Sequence, residues 1–166
     1  MACYVFGHMR AHEFLSIRPD AETYVQCYLG IAACRDEESL RMVHNMMKMD
    51  VGVEPSTRLN NALMIAFASI GDADRALDFW VDITNSREGP SYRSLEIVFR
   101  VCEGLDFGES TAKEVWGMMR RMDVEVTAEV ADAYVGALGG QVLKDEAMQL
   151  IEGMEKELGL VPSYMT

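Results

Sequence analysis

PSTRLNNALMIAFASIGDADRALDFWVDITNSREGPS, residues 55–91, is one copy of a pattern that recurs along the chain. Pro55 is followed by Ser56 and Thr57, whose hydroxyls can accept from the free N–H groups at the start of a helix. Leu59, Leu63, Ala66, Phe67 and Ile70 then come at helical spacing. Gly71 stops that helix, since a left-handed residue costs least as glycine, and Asp72 is placed to cap the next one. Ala76, Leu77, Trp80 and Ile83 make a second apolar stripe, and Asn85 to Pro90 turns the chain into the following copy. The stretch therefore predicts two amphipathic helices joined by a short turn, an antiparallel pair.

Outward from this copy the same marks return. Pro19, Pro55, Pro90, Thr127 and Pro162 stand at one point of successive copies, about 35 residues apart. An aliphatic residue comes shortly before most of them (Ile17, Val53, Val126, Val161). Upstream lies an aromatic or Met-rich run, such as Val43-His44-Asn45-Met46-Met47 or Val115-Trp116-Gly117-Met118-Met119. The neighbouring copies carry matching stripes: Tyr24, Tyr28 and Ile31, then Leu40, Val43 and Met47 behind a capping Asp36; Leu95, Val98, Phe99 and Cys102, then Ala112, Val115, Trp116 and Met119; and Val130, Tyr134 and Leu138. The boundaries are residues 1–20, the second helix of an incomplete leading repeat, then repeats 21–56, 57–91, 92–128 and 129–163. No pattern of β alternation has useful length. The prediction is an all-α solenoid in which each pair hides its apolar side against its neighbours. Both ends cut through the period, so the sequence reads as a portion of a longer repeat protein.

Charge and composition narrow the function. The 166 residues carry a formal net charge of −12, and each complete repeat is itself acidic. A phosphate backbone needs Lys and Arg opposite it, so the balance argues against a module that grips RNA unaided and fits a basic protein partner or plain solubility. No apolar run reaches the length of a membrane span. Arg10, His12, Glu13 and Arg18 interrupt any signal-peptide core at the N-terminus.

Chemistry-bearing residues are sparse. Cys3, Cys27, Cys34 and Cys102 form no Cys-x-x-Cys pair and are expected to be small buried hydrophobes in a reducing compartment. His8 and His12 are spaced i, i+4 but lack a third ligand, and His44 falls in a packing run. The methionine clusters Met46-Met47-Met49 and Met118-Met119-Met122 are flexible core filler, or an adaptable apolar patch for a partner helix. Glu103, Asp106 and Glu109 lack calcium-loop spacing, and Gly136, Gly139 and Gly140 follow no strand that would make them a phosphate loop. No Ser/His/Asp or Cys/His set accompanies a supporting loop. The chain reads as non-catalytic, with no cofactor and no small-molecule substrate.

The period, the aromatic-x-x-Met run of the second helix and the closing aliphatic-x-Pro resemble a pentatricopeptide repeat array over residues 4–163. Repeat 57–91 matches best, with Gly71, Ala76 and Leu77 at the inter-helix Gly and the Ala-Leu pair. The rival tetratricopeptide repeat would want Trp-x-x-Leu-Gly-x-x-Tyr, which no repeat has. The resemblance implies a right-handed superhelix and a mitochondrial or plastid protein, with mitochondria the expectation. Most such proteins bind single-stranded RNA along the face made by the first helices, one base per repeat. The base-facing pairs would be Val25 with Ser56, Asn61 with Ser91, Glu96 with Ala128, and Ala133 with Ser163. Only Asn61 with Ser91 is able to hydrogen-bond a base edge. The positions for a phosphate-contacting Lys hold Ala33, Ser69, Gly104 and Gln141.

The expected function is therefore a non-catalytic scaffold surface in a mitochondrial assembly, serving the mitoribosome, translation or respiratory-complex assembly. Tyr24, Val25, Tyr28, Asn61, Glu96 and Asp132 are candidate face residues on first helices. The alternative is an RNA-binding module for organellar transcript processing or translation, with Asn61 and Ser91 on a base and Arg58, Arg93 and Arg100 on phosphates.

Overall fold

The structure, a computed structural model, describes residues 19–122 and 124–139, together with 149 and 153. Most of the leading half repeat, with Cys3, His8 and His12, and most of repeat 129–163 after residue 139, with Gln141 and Ser163, lie outside the described residues. Every element among them is a helix. The chain divides into two compact units, residues 1–89 and 90–166.

The first unit holds α1 (Ala21–Cys34), α2 (Glu37–Met49), α3 (Thr57–Ser69) and α4 (Ala73–Asn85). Their starts are set by side chains that satisfy otherwise unpaired N–H groups. Asp20 accepts from Thr23 N–H at 2.8 Å, Asp36 from Ser39 N–H at 3.0 Å, Ser56 from Leu59 N–H at 3.2 Å and Asp72 from Arg75 N–H at 3.3 Å. The hydroxyls of Thr23 and Ser39 also donate to Asp20 and Asp36 and hold those carboxyls below their ordinary range. Gly71 ends α3 with φ +86°, as its position requires. Arg35 plays that part after α1, at φ 52°, where its charge is favourable beside the helix C-terminus.

Packing then separates the two helices of each pair. α3 lies against both α1 and α4, and from Thr57 to Phe67 only Arg58 is exposed and only Ile65 half-buried. The second helices bury one stripe each: Leu40, Val43 and His44 on α2, and Ala76, Trp80 and Ile83 on α4. A link from the turn after α4 fixes the entry to α3. Thr57 donates its N–H to the Glu88 carboxylate at 2.7 Å and its hydroxyl to the Gly89 carbonyl at 2.9 Å. That pairing holds the Glu88 carboxyl below its ordinary range.

The second unit holds α5 (Tyr92–Glu103), α6 (Gly108–Arg121) and α7 (Ala128–Gly139). α5 packs on both α6 and α7. Ser91 and Ser94 form a reciprocal capping box at the start of α5. Leu95, Val98, Phe99 and Cys102 are buried on α5, as are Ala112, Val115 and Met119 on α6 and Val130, Tyr134 and Leu138 on α7, and the Phe99 ring lies 5.2 Å from that of Tyr134. In each unit, then, a first helix lies on the first helix of the following pair.

Cys27 and Cys102 are buried free thiols, and burial pushes the Cys102 thiol up to about 11. Cys34 departs from expectation. It shares a helical face with Cys27 but is exposed, because it is the last residue of α1, after Ile31, the last buried position of that helix.

Candidate protein-interaction surface

α5 and α6 leave a groove in the second unit. Pro90, Ser91, Tyr92 and Leu95 line it from the start of α5, and Met118, Met119 and Met122 from the end of α6. Val124 closes it, for a volume of about 300 Å³. The capping box places Tyr92 at the first position of α5, in line with Leu95 and Phe99 at helical spacing, and its ring stands on the rim, 45% exposed. On α6, Val115 and Met119 point to the core while Met122 reaches the rim, 57% exposed. The Val124 N–H donates to the Met119 carbonyl at 3.2 Å and turns the chain back over the groove. Thioether side chains in an open cleft refill it at low cost, the usual chemistry of a surface that takes another apolar helix or segment.

The residues expected on a face of first helices are divided between the two units and are described unit by unit. Tyr24, Val25 and Tyr28 are buried in the first unit and are a correction to the expectation. The Tyr24 hydroxyl donates to the Asp50 carboxylate, the Tyr28 hydroxyl donates to Met47 Sδ at 3.3 Å, and the rings stack at 6.3 Å. Burial pushes the Tyr28 phenol well above its ordinary value. Asn61 is also buried, only 8% exposed. Arg58 is exposed and paired with Glu22 at 2.8 Å. The Ser91 hydroxyl is engaged in the cap of α5, Arg93 pairs with Glu96 at 2.6 Å, Arg100 is exposed and Asp132 half-buried. Two of the three Arg side chains proposed for phosphates thus already face carboxylates. Tyr92 was missed by the sequence reading, although its place directly after a capping Ser, at the very start of a helix, was a usable signal.

His44 makes a separate buried cluster. Its ring stands edge-on to Phe67 at 5.4 Å and to Phe79 at 5.9 Å, and Nδ1 has no hydrogen-bond partner. Burial, with repulsion from Lys48 and Arg75, lowers its pKa to about 4. The folded state therefore holds the neutral ring, while the unfolded chain takes up a proton near pH 6.5. The stability contributed by the neutral ring is whole above that pH and is lost as pH falls toward 4, by about 2 kcal/mol once solvent screening is allowed for. His44→Leu is expected to flatten this dependence and to leave stability at pH 7.5 unchanged or raised, since it removes a buried polar atom without a partner. Urea midpoints at pH 4.5 and 7.5 measure it; an equal acid loss in both proteins counts against the assignment.

Among the described residues no group of three or more His, Cys, Asp or Glu is placed to hold a metal ion, and no helix is long and apolar enough to cross a membrane.

No protein-family model matches the chain. The chain is 51% identical over 155 residues to complex I intermediate-associated protein 84, mitochondrial, of Neurospora crassa. The match takes in 88% of this chain and 19% of that protein, so the chain spans about a fifth of the length of the curated relative it resembles.

Proposed function

We propose that this chain is part of a mitochondrial assembly factor for respiratory complex I, and that it holds protein rather than catalyses a reaction. The observation that carries the proposal is the 51% identity to a complex I intermediate-associated protein across 88% of the chain. Support for the mode of action comes from the second unit, whose open feature is an apolar groove with Tyr92 and Met122 at its rim. In this reading the helix pairs stack as a right-handed α-solenoid of pentatricopeptide type. The packing of α1 on α3 and of α5 on α7 supports it, as does the repeat period. The solenoid serves as a scaffold, and the acidic net charge of −12 favours a basic protein surface as its partner.

Removing the protein from its cells tests the proposal. Native gels are expected to show partial complexes accumulating at the expense of mature complex I, and the protein migrating with one of those partial complexes. Normal complex I after removal defeats it. Mobility shift against pooled single-stranded RNA is expected to show nothing at physiological salt. Tight binding that weakens steeply with salt replaces this reading with an RNA-binding one.

A further inference from the structure

The groove between α5 and α6 holds three thioethers at three depths. Met122 is exposed, Met118 half-buried and Met119 only 1% exposed. Met118 and Met122 are four residues apart, so one side of α6 carries both at its C-terminal end. Met119, one step round the helix, belongs to the buried stripe with Ala112 and Val115. Oxidation of a side chain follows its access to water. A hydroperoxide therefore reaches Met122 first and Met118 after it, while Met119 is shielded. That order separates two consequences. An oxygen on Met119 would enter the core of the unit. An oxygen on Met122 changes the surface of the groove and leaves the core packed.

The lining decides what the new oxygen meets. Pro90 has no N–H, the Val124 N–H is taken by the Met119 carbonyl, the Ser91 hydroxyl is engaged in the cap of α5, and Leu95 is apolar. A sulfoxide is a strong acceptor, and in such a groove it keeps its hydrogen bonds by facing water. An apolar segment seated over it strips those bonds away without replacing them. We propose that Met122, seconded by Met118, is a reversible oxidation site through which a hydroperoxide closes the groove to an apolar protein segment. The thioether sulfur donates an electron pair to one peroxide oxygen. The O–O bond breaks, an S–O bond forms, and hydrogen peroxide leaves as water, so the sulfur is oxidised and the peroxide reduced. A reductase that uses a dithiol reverses the step: the oxygen departs as water and the dithiol becomes a disulfide. This deepens the protein-binding reading above, as a regulation of the same groove, and rests on it.

The test treats the protein with hydrogen peroxide and maps sulfoxides by peptide mass spectrometry. Met122 is expected to oxidise at least about tenfold faster than Met119. Docking is read with a photo-crosslinking phenylalanine analogue at position 92 on the rim, in the protein as made in its own cells. Before peroxide it is expected to join a second polypeptide, and a brief peroxide pulse is expected to cut that yield about fivefold or more. Met118→Leu combined with Met122→Leu is expected to hold the yield through the pulse, because leucine fills similar space and takes up no oxygen. Met122→Gln is expected to lower the yield without peroxide, because a permanently polar side chain then stands where the sulfoxide would. Equal oxidation of Met119 and Met122 overturns the proposal, as does a yield undiminished by peroxide or by Met122→Gln. A fall that persists in the double leucine variant also overturns it, since the effect then lies in the exposed Met42 and Met49 of the first unit or in the partner. Each of those results leaves the protein-binding reading standing. If position 92 joins no polypeptide in untreated protein, that reading of the groove falls as well.

Discussion

Phe99→Ala is expected to remove about 4 kcal/mol from the stability of the second unit. Phe99 is fully buried on α5, with its ring 5.2 Å from Tyr134 of α7 and 6.4 Å from Trp116 of α6. Trp116 and Tyr134 in turn stack at 4.3 Å with planes 7° apart. One ring thus meets both of the other described helices of the unit, so truncation leaves a void that backbone relaxation closes only in part. It also removes aromatic pair energy of about 1 kcal/mol beyond area burial. Domains of this kind carry roughly 5–15 kcal/mol in total, so the loss is a large fraction. The chain has two tryptophans, Trp80 in the first unit and Trp116 in the second. In a Trp80→Phe background the Trp116 fluorescence therefore reports this unit alone during urea unfolding. A loss below about 1 kcal/mol means that the three rings do not form the core of the unit.

Gly108→Ala is expected to cost on the order of 3 kcal/mol, while Gly117→Ala in the same helix is expected to gain about 0.5–1 kcal/mol. A Cβ at Gly108 would lie 2.0 Å from the Cys102 carbonyl oxygen and 2.8 Å from its carbon. Those are backbone atoms of α5, at a fully buried residue, so no side chain can swing aside and the two helices must separate. At Gly117 an added Cβ meets nothing within 4 Å, so the change only reduces the freedom of the unfolded chain and improves helix propensity. Opposite signs from the same chemical change, nine positions apart, are the signature of the close approach. Urea midpoints of the two variants moving in the same direction would show that α5 and α6 do not meet at Gly108.

Helix starts and stops were legible in the sequence because they are local. Asp36, Ser56 and Asp72 cap the helices they precede, and Gly71 takes the left-handed turn, since a short oxygen-bearing side chain or a missing Cβ acts within three residues of itself. The inward stripe Leu95, Val98, Phe99 and Cys102 was legible for a similar reason: helical spacing puts those residues on one side whatever lies opposite. Tyr24 and Tyr28 show where this stops. A tyrosine on a first helix reads equally as core or as face, and here the partners Asp50 and Met47, far along the chain, decide for burial.

By itself, then, the sequence determined that the chain builds helices in pairs, that their apolar sides need a neighbour, and that the chain as a whole is acidic. These follow from periodicity, capping and net charge, which are properties of nearby residues or of sums over all of them. Only the tertiary structure decided that Tyr24, Val25 and Tyr28 are core, that Cys34 faces outward, and that α5 and α6 leave a methionine-lined groove. Each of those depends on which surfaces meet across long stretches of chain. Burial is fixed by the neighbour that removes a side chain from water, and the spacing of residues along one helix carries no record of that neighbour.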